Sequence, residues 1–271
     1  MLRELTTFLL WVTLVLVLIA GGTIAIFFYQ SRRRSRNYLA KNESELRYFI
    51  QQQVDSHGEI TGYECLLRQE DESGHWRLPM HMETLPLQRV IFLLDGVFVN
   101  LPKVPYTLAI NLEYEQIISP EFDYFVRWAQ SRIAPMKLVI ELTVNPDARY
   151  RQHRRFLRQV AAARAYGAEF AIDNVGNRQV DLKAIEWMLP QTDLIKASMR
   201  QFRKEDGQWL DLNLQFWRRL AEDHQIDLML IGVEDDQDVE LAKLLNITHL
   251  QGYRYGRPVD VSEQTEDKLE Q

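Results

Sequence analysis

A closed α/β barrel behind one membrane-spanning helix is the fold this chain of 271 residues predicts. From Tyr48 onward, short apolar runs alternate with amphipathic stretches at helical spacing, which implies a mainly parallel sheet with helices outside it. About eight such strands fall in roughly 220 residues, and no glycine-rich dinucleotide loop follows the first, so a TIM-like (β/α) barrel is favoured over an open doubly wound sheet. Ahead of them all lies an uncharged apolar run, Thr6 to Tyr29.

Taken in order, residues 1–5 form a short amino terminus, and Thr6 to Tyr29 follows. As a helix this run of about 24 residues measures roughly 36 Å, enough to cross a hydrocarbon core with some tilt. A cleaved signal peptide is the competing reading. Against it, the apolar part is too long, Arg3 is offset by Glu4, and no small-x-small cleavage site closes the run. Arg32, Arg33, Arg34 and Arg36 come next, so the positive-inside rule puts the carboxyl-terminal body in the cytoplasm of a single-pass inner-membrane protein. This cluster reads as a stop-transfer flank touching anionic lipid, not as a nucleic-acid site. Residues 30–46 are expected to be a basic juxtamembrane linker, 47–260 the barrel, and 261–271 a polar tail.

Within the barrel, Tyr48 to Val54, Ile60 to Leu67, Tyr106 to Leu112, Lys137 to Leu142, Glu169 to Asp173, Asp193 to Lys196, Asp227 to Val233 and Thr248 to Gln251 read as strands. Leu87 to Val99, Glu121 to Ser131, Tyr150 to Tyr166, Leu212 to His224 and Asp236 to Leu245 read as helices. Only Asp55 to Glu59 separate the first two strands. That link is too short for a parallel crossover, so these two should be antiparallel and the barrel irregular. Gly74 to Leu85, with Pro79 and Met80, reads as a loop over the barrel mouth.

Composition excludes some chemistry. A net charge of −6 opposes a dedicated nucleic-acid surface, which needs a basic stripe to release counterions. The single cysteine, Cys65, has no disulfide partner and no zinc partner, and suits a reducing compartment. His57, His75 and His81 lack metal-ligand spacing, and Ser56, Ser73 and Ser198 lie in no nucleophile motif. Tyr63 and the tryptophans read as core residues ahead of base-stacking ones.

In such a barrel the carboxyl ends of the strands form the reactive face. Glu64 follows Gly62-Tyr63, Asn111 ends TLAIN, Glu141 ends LVIE, Asp173 ends FAID and Lys196 ends LIK. Three carboxylates and an amide oxygen are hard ligands of the kind magnesium, manganese or calcium prefers. Singly, these residues read as surface acids, a helix cap and a solvated lysine. Repeated where apolar strands finish, they are poorly explained by solvation. Against this pattern, Ile231 puts a hydrocarbon at a strand end.

These residues resemble the EAL domain, a family of cyclic di-GMP phosphodiesterases and inactive relatives. Gly62-Tyr63-Glu64-Cys65-Leu66-Leu67-Arg68 is similar to its G-x-E-A-L-L-R segment, with Cys65 for alanine. Ala109-Ile110-Asn111-Leu112 is similar to V-N-L-S, and Val139-Ile140-Glu141-Leu142-Thr143-Val144 to L-E-L-T-E. Ile172-Asp173-Asn174-Val175-Gly176-Asn177 stands in place of D-D-F-G-T-G. Asp193 to Ser198 parallels D-x-L-K-I-D, Ile231 to Glu234 parallels E-G-V-E, and Leu250 to Pro258 parallels Q-G-Y-x-F-G-R-P. The resemblance runs from about Gln51 to Val259, and the ordered set of motifs makes it specific.

In active members the resemblance implies two metal ions that activate water to open one phosphodiester of the cyclic dinucleotide. By motif position, Glu64, Asn111, Glu141 and Asp173 would hold the first metal, and Lys196 would be the retained catalytic position near the attacking water. Gln51, Glu64, Arg68, Asn111, Glu234 and Gln251 would face the ligand, with Arg68 making a forked phosphate contact. Several expected acids are missing. Asn174 replaces a ligand of the second metal, Ile231 a glutamate that helps activate water, and Val144 a glutamate that steadies the loop after Asp173. Val175 and Asn177 alter that loop, and Ser198 replaces an aspartate. The expectation is a catalytically impaired, membrane-anchored module that senses cyclic di-GMP and signals to a partner protein. It would carry one residual magnesium, manganese or calcium site or none. The alternatives are a protein-interaction module that no longer binds nucleotide and a weak, metal-dependent phosphodiesterase. Family members pair beside the loop after the aspartate pair, so the resemblance also implies a homodimer.

Overall fold

The computed structural model describes residues 3–4, 6, 10–17, 21–22, 46–79, 84–203 and 212–261. It divides into two units, residues 1–45 and 46–271. In the first, residues 10–17 are helical and exposed. Among the described residues no helix is long and apolar enough to cross a membrane. Much of the expected span at 6–29, the linker up to residue 45 and the tail from 262 lie outside the described residues.

The second unit is the barrel. Its strands are β1 (Leu46–Asp55), β2 (Ile60–Glu70), β3 (Trp76–Arg77), β4 (Thr107–Asn111), β5 (Lys137–Thr143), β6 (Glu169–Val175), β7 (Leu194–Ser198), β8 (Asp227–Ile231) and β9 (His249–Gln251). Its helices are α1 (Leu87–Phe98), α2 (Tyr114–Ile117), α3 (Phe122–Ile133), α4 (His153–Ala165), α5 (Gln179–Ile185), α6 (Met199–Phe202), α7 (Leu214–His224) and α8 (Asp236–Leu244). The sheet order is β1-β9-β8-β7-β6-β5-β4-β2-β3, and a further β1–β2 pairing closes the ring, leaving β3 outside it on the edge of β2.

β1 runs antiparallel to both its neighbours, β2 and β9, while β2 and β4 to β9 pair in parallel. The expected hairpin has a local cause. The Asp55 carboxylate accepts the amides of His57 and Glu59, and Gly58 takes the left-handed conformation at φ 87 that closes so short a turn.

Alternation along the strands sorts the side chains into two layers. Leu108, Ile110, Leu138, Ile140, Phe170, Ile172, Ile195, Leu228 and Leu230 are buried in the main core, together with Leu94, Phe125, Phe156, Val160 and Trp217 from the surrounding helices. Each such side chain contributes about 1.5–3 kcal/mol on burial. Intervening positions point into the barrel, where Ala109, Val139 and Ala171 form a small separate cluster against Leu194. Two residues further along the same strands stand Asn111, Glu141, Asp173 and Lys196. The period that fills the barrel floor therefore carries the polar residues to its carboxyl-terminal mouth.

Gly252 closes this end. A side chain there would collide with the backbone of Val233, so glycine lets the β9 loop lie flat on the segment after β8. The elements not anticipated, β3, α5 and α6, are too short to show periodicity. The loop expected at Gly74 to Leu85 contains β3, and Leu78, Pro79, Thr84 and Leu85 do reach the mouth.

Candidate functional site

Lys196 lies at the centre of the mouth with its side chain buried. Its ammonium donates to Glu64 Oε2 at 2.9 Å and to Glu141 Oε1 and Oε2 at 2.8 and 2.9 Å, and stands 4.0 Å from Asp173 Oδ1. Asn111 Nδ2 donates to Glu64 Oε1 at 2.6 Å and Glu141 Oε2 at 3.3 Å. Gln251 Nε2 donates to Glu64 Oε2 at 2.6 Å and to Gln51 Oε1 at 3.2 Å. The structure thus gathers Gln51, Glu64, Asn111, Glu141, Asp173, Lys196 and Gln251 into one cluster.

Two members were not singled out by sequence. Thr143 Oγ1 donates to Asp173 Oδ2 at 2.9 Å and sits 3.3 Å from Asn111 Oδ1. Gln53 Nε2 donates to Gln251 Oε1 at 3.2 Å. Both were accessible to the period-two rule, since Thr143 lies two residues past Glu141 and Gln53 two past Gln51.

One ammonium faces three buried carboxylates, and their titration divides accordingly. Burial opposes charge on Glu64, but the Lys196 charge and hydrogen bonds from Lys196, Gln251 and Asn111 outweigh it and hold this carboxyl below its ordinary value. Burial, then the Glu64 charge, push Glu141 well above the carboxylate range despite Lys196. The two differ because Glu64 has close donors from Gln251 and Asn111, whereas Glu141 adds only the longer Asn111 contact. Burial also raises Asp173, whose Oδ1 has no hydrogen-bond partner among the described residues. For Lys196, burial disfavours the ammonium, but Glu141, Glu64 and Asp173 together hold its pKa above the usual lysine value.

The cluster opens on a cleft of about 670 Å³ lined by Glu64, Arg68, Asn111, Glu113, Thr143 and Asp173 among others, a size ordinary for a small-molecule site. Arg68 is half-buried at its edge. Its Nη1 donates to the Leu67 carbonyl at 2.9 Å, and among the described residues no carboxylate lies within ion-pair distance of it. Burial lowers its pKa, offset in part by Tyr253 and Glu64. Glu234 falls outside the cluster: it is exposed, pairs with Arg203 at 3.0 Å and does not line the cleft.

The donor set has the chemistry for one divalent cation. Glu64, Asn111, Glu141 and Asp173 supply hard oxygens, and Asp173 Oδ1, which accepts no hydrogen bond among the described residues, is an oxygen a cation would satisfy. As arranged, the ammonium of Lys196 occupies the space between the carboxylates, and no group of three acidic, histidine or cysteine side chains converges on a metal position among the described residues.

Positions where acids were expected read differently. Ile231 ends β8, half-buried, in register with Ser198 on β7 and Gln251 on β9. Asn174 is exposed in left-handed backbone at φ 61, at an irregularity between Ile172 and Val175. Val144 packs against the core, and its amide lies 3.4 Å from the Asp173 carbonyl. Beyond it, Asn177 Nδ2 donates to the Gln201 carbonyl at 2.5 Å and Trp217 Nε1 to the Gly176 carbonyl at 2.8 Å, so the loop after β6 has its own ties.

A closed (β/α) barrel with carboxylates and a lysine gathered at the carboxyl ends of its strands is the architecture on which barrel enzymes build their sites. The chain belongs to the EAL domain family, which matches residues 32–258. Among solved structures, the PaMucR phosphodiesterase in complex with c-di-GMP aligns at 20% identity with a TM-score of 0.60, covering 79% of this chain and 96% of that one. A standalone EAL protein of Vibrio cholerae O395 in its c-di-GMP-bound form aligns at 19% identity and TM-score 0.61, covering 80% and 94%. The EAL-domain protein YkuI of Bacillus subtilis, in complex with substrate c-di-GMP and calcium, aligns at 16% identity and TM-score 0.61, covering 79% and 55%. At these identities the likeness establishes the fold. No curated protein matches the sequence.

Proposed function

We propose that this chain is a membrane-anchored EAL domain that binds cyclic di-GMP without hydrolysing it at a useful rate, and that it passes its occupancy to a protein partner. The observation that carries the reading is the environment of Lys196. Its ammonium is engaged by Glu64 and Glu141, while its own strand ends at Ser198 and the neighbouring β8 at the hydrocarbon Ile231, so no acid stands beside it on β8 to take a proton from water. General acid or base assistance is worth about 10²- to 10⁴-fold, and its loss together with an anionic second-metal ligand at Asn174 leaves turnover negligible.

Binding does not need that chemistry. The cleft retains Glu64, Asn111 and the Arg68 guanidinium, which among the described residues has no carboxylate within ion-pair distance, and related folds are described in complex with c-di-GMP. Glu64, Asn111, Glu141 and Asp173 would hold a single magnesium, manganese or calcium ion, which would neutralise the excess carboxylate charge and bind phosphate oxygens. Anchoring rests on the apolar run at 6–29 and the arginines after it.

The test is a phosphodiesterase assay on the detergent-solubilised full chain with magnesium or manganese, paired with calorimetric titration of cyclic di-GMP. Saturable binding without turnover is expected. Family-like turnover would make it an active phosphodiesterase, and no heat at high micromolar nucleotide would leave a protein-interaction module. Crystals soaked in manganese should show anomalous density at the four ligands.

A further inference from the structure

We propose that the loop after β5 and the outer face of α4 form an arginine surface that docks on the headgroups of an anionic lipid bilayer; the inference rests on the membrane-anchored reading above. Residues 145–165 contain six arginines and one acid, Asp147, in a chain whose net charge is −6. Among the described residues only Arg164 of the six is paired, with Asp193 at 2.7 Å. Arg149, Arg151, Arg154 and Arg158 are exposed and Arg155 is half-buried, and none has a carboxylate within ion-pair distance among the described residues. Elsewhere the barrel pairs its arginines readily, as in Arg47–Asp260, Arg132–Asp95, Arg178–Asp181 and Arg203–Asp238. Acids are therefore abundant in this protein and withheld here.

The placement runs against local stability. Arg154 and Arg155 sit in the first turn of α4, where the helix dipole favours acids, and that turn has none. Its N-cap, Gln152, is left-handed at φ 63 and makes no side-chain cap bond. The terminal amides and the arginines together favour an anion. Arg154 and Arg158 lie one turn apart, opposite the buried Phe156, Val160 and Ala163, and exposed Ala161 continues their face without bulk.

A bilayer suits this surface better than a nucleic acid. The arginines are confined to one loop and one helix, and the rest of the molecule is acidic and would repel a long polyanion. In the anchored reading residues 30–45 reach at most roughly 55 Å when extended, so the headgroup layer is always present at high effective concentration. Anionic headgroups attract basic side chains within about a Debye length, so the interaction forms at contact and weakens with salt. Asn145, at the root of the loop, lines the cleft, so lipid contact and cleft occupancy share one segment.

Because Cys65 is buried, a fluorophore on Ala161→Cys reports on this face alone. The full chain is reconstituted into vesicles of phosphatidylcholine, with or without phosphatidylglycerol, carrying a headgroup quencher. Quenching is expected in the anionic vesicles, reversed by high salt, with the docked-to-undocked ratio falling about fivefold for each arginine among 149, 151, 154 and 158 changed to glutamine. Circular dichroism confirms that the variants fold, and glutamate at the same positions should abolish quenching. Equal quenching in neutral vesicles, or quenching unaltered by the substitutions, overturns the proposal. So does a label that responds to added RNA but not to anionic lipid. Flotation with neutral vesicles reads the anchor separately: failure to float removes the anchored reading, whatever the arginine surface does.

Discussion

Lys196 Nζ lies 2.8 Å from Glu141 Oε1, and neither side chain has appreciable contact with solvent. A buried pair of this kind need not stabilise relative to apolar residues, but removing one partner leaves the other uncompensated. Lys196→Met should therefore destabilise the barrel at neutral pH by about 3–5 kcal/mol, measured by urea unfolding. With the ammonium gone, all three carboxylates titrate upward on folding. Their penalty then disappears as pH falls, so the deficit relative to wild type should shrink between neutral and acidic pH. An equal deficit at both would mean that lysine packing, not charge, is what was lost.

The buried carboxyl of Asp173 leads to a second expectation. Its carboxyl is raised by burial in the folded state, and a group with a raised folded value is most stabilising below its unfolded pKa and loses that contribution as pH rises through the folded one. Glu141 acts in the same direction, whereas Glu64, held low, acts in the opposite one. Asp173→Asn leaves two buried carboxylates instead of three to share the Lys196 ammonium and should stabilise the metal-free protein at neutral pH by about 1–3 kcal/mol. It should also flatten the pH dependence and abolish any stabilisation by manganese. Thermal melts across pH with and without manganese check all three, and a destabilised variant would show that Asp173 is already satisfied.

Arg68 sets the expectation for binding. A charge-assisted hydrogen bond contributes about 1.5–3 kcal/mol, so Arg68→Ala should weaken cyclic di-GMP binding by roughly 10- to 100-fold, with melting temperature almost unchanged. Arg68→Lys keeps the charge but loses the fork and should recover only part of it. Unchanged affinity in the alanine variant would show that the phosphate is held elsewhere.

The fold was legible because its signals are redundant. Eight strands of the closed ring announce themselves by apolar runs, and the antiparallel start follows from the length of one link, Asp55 to Glu59. The cluster around Lys196 was legible for a related reason: polar residues at inward positions of successive parallel strands must meet in a closed barrel. What stayed hidden depends on side-chain reach. Glu234 has the right motif neighbours, but it pairs with Arg203 at the surface and does not line the cleft. Thr143, one residue past the expected strand, joins the cluster only through the hydroxyl it donates to Asp173. That Lys196 would stand between the carboxylates instead of beside them is a matter of rotamer, which strand spacing does not determine.

Restoring the missing acids tests whether only the water-activating half of the site is gone. Glutamate at Ile231 would lie on the strand next to Lys196, flanked by Gln251 and by Ser198, whose hydroxyl can donate to it. That substitution alone should not restore turnover, because Asn174 still lacks an anionic oxygen and is exposed in left-handed backbone. Aspartate tolerates that backbone about as well as asparagine, so Asn174→Asp should not harm the fold. Val144→Glu places an acid one residue beyond Thr143, with its amide still near the Asp173 carbonyl. The triple variant Val144→Glu, Asn174→Asp, Ile231→Glu should gain at least about 100-fold in magnesium- or manganese-dependent hydrolysis over wild type, the lower bound expected of one recovered general base. The same triple with glutamine at 231 should stay near the wild-type rate. If the acid triple folds and binds cyclic di-GMP but shows no gain, the defect lies in the grip of Glu64 and Glu141 on Lys196 or in the aspartate lost at Ser198, and the Ser198→Asp quadruple separates those two causes.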